Sequence, residues 1–211
     1  LISKLEDRYA VESKHSHNVT LEYLEKNIDN IFIIANFFRL GEEAKAYLSQ
    51  KCEYIIYEHD HKYVNTNNPT FFKNFLVPEK NLINKHFYKN AKKVVCQSKM
   101  HAQILYKNLL TDNIVNAGSN FWSDEDLAIL EKNIDSEKKT EYAFMNTTNK
   151  NKGAMSALGY CNSKGLKCKP IEHQEYKYFI KELSKVDNFV FFPRWVESYS
   201  RVAIEARILG S

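Results

Sequence analysis

Two glutamates, Glu197 and Glu205, have the placement in this 211-residue chain that best suits chemistry. They lie in the segment VFFPRWVESYSRVAIEARILG, residues 190–210. Its apolar opening predicts a buried strand over 189–192 that stops at Pro193. A loop carrying Glu197 follows, then Ser198, Tyr199 and Ser200, then a helix over 201–209 that contains Glu205. Ser200 is placed to cap that helix with its hydroxyl. The first-turn amides of a helix lack internal acceptors, and with the macrodipole they form an anion site. This one is expected at the carboxyl end of a strand, where open α/β sheets bind ligands. A diphosphate there would meet backbone amides and Arg201. Glu205 falls further along, about 7 Å down the axis at ~1.5 Å per residue. Carboxylates do not bind phosphate, but they accept hydrogen bonds from neutral hydroxyls. The segment therefore suits a ligand built as hydroxyls, diphosphate, hydroxyls, which is the plan of a nucleotide sugar.

Pro193, Glu197, the Ser198-Tyr199-Ser200 turn, Glu205-Ala206 and Gly210 together resemble the P-x-x-x-E-x-[FY]-[GS]-x-x-x-x-E-A-x-x-x-G signature of retaining GT-B glycosyltransferases of the family-4 group. The resemblance implies two Rossmann-like domains with the donor in the cleft, transfer with retention, no essential metal, and the nucleotide sugar as co-substrate. It implies that Glu197 contacts the transferred sugar and Glu205 the ribose, while amides around Tyr199–Arg201 hold the diphosphate. The acceptor class, whether glycan, lipid or small molecule, is not implied.

The same resemblance extends to Lys152-Gly153, which match the K-G that follows the first strand of the family's C-terminal domain. Lys152 is then a donor-phosphate ligand. The family's preceding G-R is replaced by Met145-Asn146, so Lys150 or Arg201 would have to supply the missing cation. In the N-terminal half an apolar run ends in Glu58-His59-Asp60-His61. By resemblance His59 lines the reaction centre, Asp60 can orient its imidazole, and His61 is a weaker candidate. Ser98 reads as a helix cap, Met100 and His101 as helix surface or packing, and Trp122 as core.

Two other readings of these residues stay open. Glu58 and Asp60, with His61, follow a strand as the Mn²⁺ ligands of a metal-dependent GT-A enzyme do. The departure at Met145-Asn146 also fits a non-catalytic GT-B-like binding module.

Apolar and helical stretches alternate in the order that a parallel sheet covered by helices requires. Strands are expected over 31–38, which reads as buried on both faces, and over 52–59, 93–97 and 114–116. Helices are expected over 42–50, 82–90 and 99–109. The polar run 136–140 marks a boundary, after which the rhythm restarts: strands over 142–145, 167–171 and 189–192, and helices over 152–164, 175–185 and 201–209. The expected organisation is an N-terminal Rossmann-like domain over 1–118, a crossing segment over 119–139 with a helix starting near Ser123, and a partial nucleotide-sugar-binding domain over 140–211. The chain begins at Leu1 rather than Met and reads as a piece of a longer protein.

Composition narrows the class. Apolar residues make up 44% and charged residues 27%, as in an ordinary globular protein. The net charge of +4 is too mild to indicate nucleic acid, and no aromatic-basic surface pattern supports it. That charge suits an anionic nucleotide or contact with an anionic membrane surface. Cys52, Cys96, Cys161 and Cys168 fit no zinc spacing and read as free thiols of a reducing, cytoplasmic compartment.

Overall fold

Residues 2–211 are described by a computed structural model. It is an α/β structure that divides into two compact units, Leu1–Phe121 and Trp122–Ser211.

The first unit opens with α1 (Ile2–Glu6) and α2 (Leu21–Lys26). It then alternates β1 (Ile31–Ile34), α3 (Glu42–Lys51), β2 (Glu53–Glu58), α4 (Lys85–Asn90), β3 (Lys93–Cys96), α5 (Lys99–Leu109) and β4 (Ile114–Asn116). The four strands are parallel, in the order β1-β2-β3-β4. Parallel connections are right-handed almost without exception, so a sheet that grows in one direction receives all its crossover helices on one face. The burial pattern agrees. Tyr54, Ile56, Val94 and Cys96 on one face are buried with Leu48, Phe87 and Leu105 from the helices, whereas Ile31 and Ile33 on the other face are exposed. The apolar run at 31–38 is therefore not buried on both faces. It also leaves the sheet after Ile34, where Asn36 Oδ1 accepts the Phe38 amide and Phe37 turns into the core against Phe87 and Tyr88.

The second unit contains α6 (Asp124–Asn133), β5 (Thr140–Met145), α7 (Ala154–Ser163), β6 (Cys168–Ile171), α8 (Tyr176–Leu183), β7 (Val186–Phe189) and α9 (Arg201–Ile208). Its three parallel strands lie in the order β6-β5-β7. The chain steps from β5 to β6 on one side, then crosses back to place β7 on the other. The gap between the carboxyl ends of β5 and β7 is thus the topological switch point, where α/β sheets bind ligands. The segment expected to be a crossing holds α6, capped by a Ser123–Asp126 capping box, and Leu130 from it joins the core made by Ala143, Ile180, Leu183, Ala206 and Leu209. The strand expected at 189–192 runs instead over Val186–Phe189: Thr140 and Ala143 set the pairing with Val186 and Phe189, and the more apolar 190–192 run continues as a loop.

Candidate functional site

At the switch point two loops are locked together. The Arg194 amide donates to the Asn151 carbonyl (2.8 Å), and the Asn149 side chain accepts the Asn151 amide to start a short 3-10 turn over Lys150–Lys152. That turn ends at Gly153, whose φ of +69° is left-handed, and a Cβ there would overlap the Phe192 carbonyl oxygen. Glycine is required twice over, by conformation and by close approach. The outcome is that Lys152 and Glu197, 45 positions apart, meet at 2.8 Å between Nζ and Oε1. The Trp195 indole Nε1 donates to the same Oε1 at 2.8 Å, and the Lys152 ammonium lies 5.6 Å from the centroid of the Trp195 ring. The pair is only partly withdrawn from water, with Lys152 27% and Glu197 16% exposed.

The second glutamate is held differently. Glu205 is buried, and its Oε1 accepts hydrogen bonds from Trp122 Nε1 (2.9 Å) and Tyr176 Oη (3.0 Å). Arg201 lies 3.4 Å from Glu205 Oε1 and 3.3 Å from Asp126 Oδ2, with its guanidinium over the Trp122 and Tyr176 rings. Burial disfavours the Arg201 charge, but Glu205, Tyr176 and Asp126 outweigh it and raise its pKa. Burial, then the Glu205 charge, raises the Tyr176 phenol, which stays protonated as a donor. These contacts tie α9 to α6 and α8. Two carboxylates already balance Arg201, so Lys152 is the better placed cation for a phosphate.

Between the two glutamates, α9 begins. Ser200 occupies the N-cap position but makes no side-chain cap hydrogen bond, and its Oγ is buried without a partner. This departs from the capping expected of it: the Ser200 hydroxyl does not serve the amides of the first turn. Ser198 is buried, and the Tyr199 ring stands edge-on to Trp122 at 6.0 Å. At the position of the family's arginine, Asn146 donates through its amide to both oxygens of Glu172 (3.0 and 2.9 Å).

In the first unit, β2 delivers Glu58 to the carboxyl end of its sheet, and there the carboxylate is consumed. Lys62 Nζ contacts Oε1 at 3.0 Å, Tyr88 Oη donates to Oε2 at 2.7 Å, and the Asp60 amide donates to Oε1 at 3.1 Å. Glu58 is 0% and Lys62 1% exposed. Burial, then the Glu58 charge, raises the Tyr88 phenol well above its usual range. Both oxygens of Glu58 are taken by protein donors, which does not suit a metal ligand. Among the described residues no group of three or more His, Cys, Asp or Glu side chains is arranged to hold a metal ion. His59 is partly exposed with Nε2 3.6 Å from Asp60 Oδ2. His61 is buried against Tyr63 and His101, and His101 Nε2 lies 3.0 Å from the Asp60 carbonyl. Because a carbonyl only accepts, Nε2 carries the proton. Of the two readings of His101, helix surface or packing, its complete burial in this cluster selects packing.

Sequence reasoning missed Trp195, Tyr176, Lys62 and Tyr88. Each acts through a partner that folding brings near, and none belongs to a spacing that marks chemistry. The four cysteines are free. No family model matches the chain, and no curated protein matches it.

Proposed function

We propose that this chain is the core of a glycosyltransferase of GT-B type that moves a sugar from a nucleotide-activated donor, with the donor held by the second unit. The observation that carries the reading is the meeting of Lys152 and Glu197 at the switch point beside the start of α9. In this reading the Lys152 ammonium, the first-turn amides of α9 and the Ser200 hydroxyl, which is buried without a partner, would hold the diphosphate and stabilise charge on the leaving group. Glu197 is placed for hydroxyls of the transferred sugar. Glu205 would serve a ribose through its second oxygen, Oε1 being occupied.

The test is donor binding by calorimetry together with a transfer assay. Glu197→Ala should abolish transfer while leaving the circular dichroism spectrum and melting behaviour near wild type. Wild-type transfer by that variant would refute its role. A non-catalytic binding module is the second reading, favoured by Asn146 standing in place of an arginine and by Arg201 being tied to Asp126 and Glu205. Donor binding without transfer or donor hydrolysis would select it. No helix among the described residues is long and apolar enough to cross a membrane.

A further inference from the structure

Glu197 Oε1 receives two donors of different character. Lys152 brings a mobile point charge on a flexible stem, partly exposed. Trp195 brings a single N–H on a ring with two side-chain torsions, two residues away on the same loop. An anionic ligand arriving at α9 attracts the mobile, charged first donor more strongly than the second, a neutral N–H that a short side chain holds beside Glu197. We propose that Trp195 is a positioning residue of the donor site: it retains Glu197 in place while Lys152 exchanges that carboxylate for the donor's diphosphate. The inference rests on the nucleotide-sugar reading above.

In the ligand-free state Lys152 and Glu197 neutralise each other, and the Trp195 ring lies under the ammonium. A diphosphate draws Lys152 away, and the acceptor capacity it releases on Oε1 becomes available to a hydroxyl of the sugar. The carboxylate meets that hydroxyl only if the Trp195 N–H still fixes its rotamer. Phosphate binding and sugar binding are thereby coupled: the part of the affinity contributed by the sugar depends on Trp195, and the part contributed by the diphosphate does not.

The experiment compares the affinity of the full chain for UDP-glucose, ADP-glucose and GDP-mannose with that for the matching nucleoside diphosphates. It uses wild type, Trp195→Phe, which keeps a ring beneath Lys152 and loses the N–H, and Trp195→His, which restores a ring N–H. Wild type should prefer one nucleotide sugar to its diphosphate. Trp195→Phe should reduce that preference by about tenfold, the loss of one charge-assisted hydrogen bond, with diphosphate affinity unchanged, and Trp195→His should recover part of it. An undiminished preference in Trp195→Phe overturns the inference and leaves the nucleotide-sugar reading standing. An equal loss of affinity for both ligands assigns Trp195 a merely structural role and also overturns it. Binding of neither ligand class by wild type overturns both. Should Trp195→Phe fail to fold, Trp122→Phe leaves Trp195 as the single tryptophan of a chain that has two. Its emission should then shift on saturation with nucleoside diphosphate as the ammonium leaves its ring, and constant emission overturns the inference.

Discussion

Each unit places a glutamate–lysine pair at or just beyond the carboxyl end of a parallel strand, and the two pairs share a plan. In both, a further side chain besides the lysine donates to the carboxylate, Tyr88 in one and Trp195 in the other, and an aromatic face lies by the ammonium, Phe37 and Phe38 in one and Trp195 in the other. They differ in access to water. Glu58 and Lys62 are sealed, whereas Glu197 and Lys152 remain partly solvated. Desolvation decides what such a pair can do. Deep inside, separating the charges strands each of them, so the pair behaves as one structural part. At the surface, water or a ligand can take over either partner, and the pair can exchange.

The largest effect should come from breaking the sealed pair. Lys62→Met leaves Glu58 buried with Tyr88 and the Asp60 amide as its donors. It should cost about 3–5 kcal/mol, measured by urea denaturation of the first unit's transition. Removing both charges, with Glu58→Gln added, should recover most of that loss, since Gln can still accept the Tyr88 hydroxyl. A double variant no better than the single one would show that Lys62 packs more than it pairs.

Next in size is Gly153→Ala. It adds a Cβ against the Phe192 carbonyl at a left-handed φ, and should cost about 1–3 kcal/mol. The readout that sharpens the comparison is donor affinity, because this glycine is what lets the turn bearing Lys152 lie on the loop bearing Glu197. Loss of donor binding at a temperature where the second unit is still folded is the expected outcome.

These two variants show how far the residues alone could lead. The rhythm of apolar and helical stretches was enough to place α5, with Ser98 accepting the His101 amide as its cap, and to place β4 and α9. Periodicity is a local property, and those elements are decided locally. Gly153 could be tied to a motif, but its need for contact with Phe192 depends on two loops meeting across a sheet. The exposed face of β1 depends on the order of all four strands, which no single run of residues records. At 190–192 hydrophobicity suggested strand, and backbone pairing with β5 ended the strand at Phe189. Glu197 was legible because its neighbours in sequence form the pattern. Trp195 and Lys62 were not, because what matters is the oxygen each one donates to.

A smaller effect follows from pH, and it belongs to the first unit. Burial lowers the pKa of His101 below its ordinary value of 6.5, against the opposing influence of Glu58 and Asp60, with Lys62 adding to the lowering. A depressed histidine favours the neutral form in the fold. Its contribution is therefore fully present above pH 6.5 and is lost as pH falls through the folded-state value. The first unit should lose stability between pH 7 and 5 more steeply in wild type than in His101→Gln, as followed by denaturation at each pH. Parallel pH profiles for the two proteins would remove His101 from this account.

The smallest expected effect on stability tests the comparison most closely. Glu197→Gln removes the charge of the solvated pair but keeps an oxygen that can accept from both Trp195 and Lys152. The Coulomb attraction it forfeits is screened by water and by salt, so the cost should be below about 1 kcal/mol and should shrink at high ionic strength. Affinity for a nucleoside diphosphate should rise in the same variant, because Lys152 no longer has an anionic partner to leave. A neutral substitution that barely alters folding and yet tightens anion binding is what an exchangeable pair requires. If Glu197→Gln instead destabilised the second unit as severely as Lys62→Met destabilises the first, the two pairs would be of one kind, and Lys152 would not be available to a ligand.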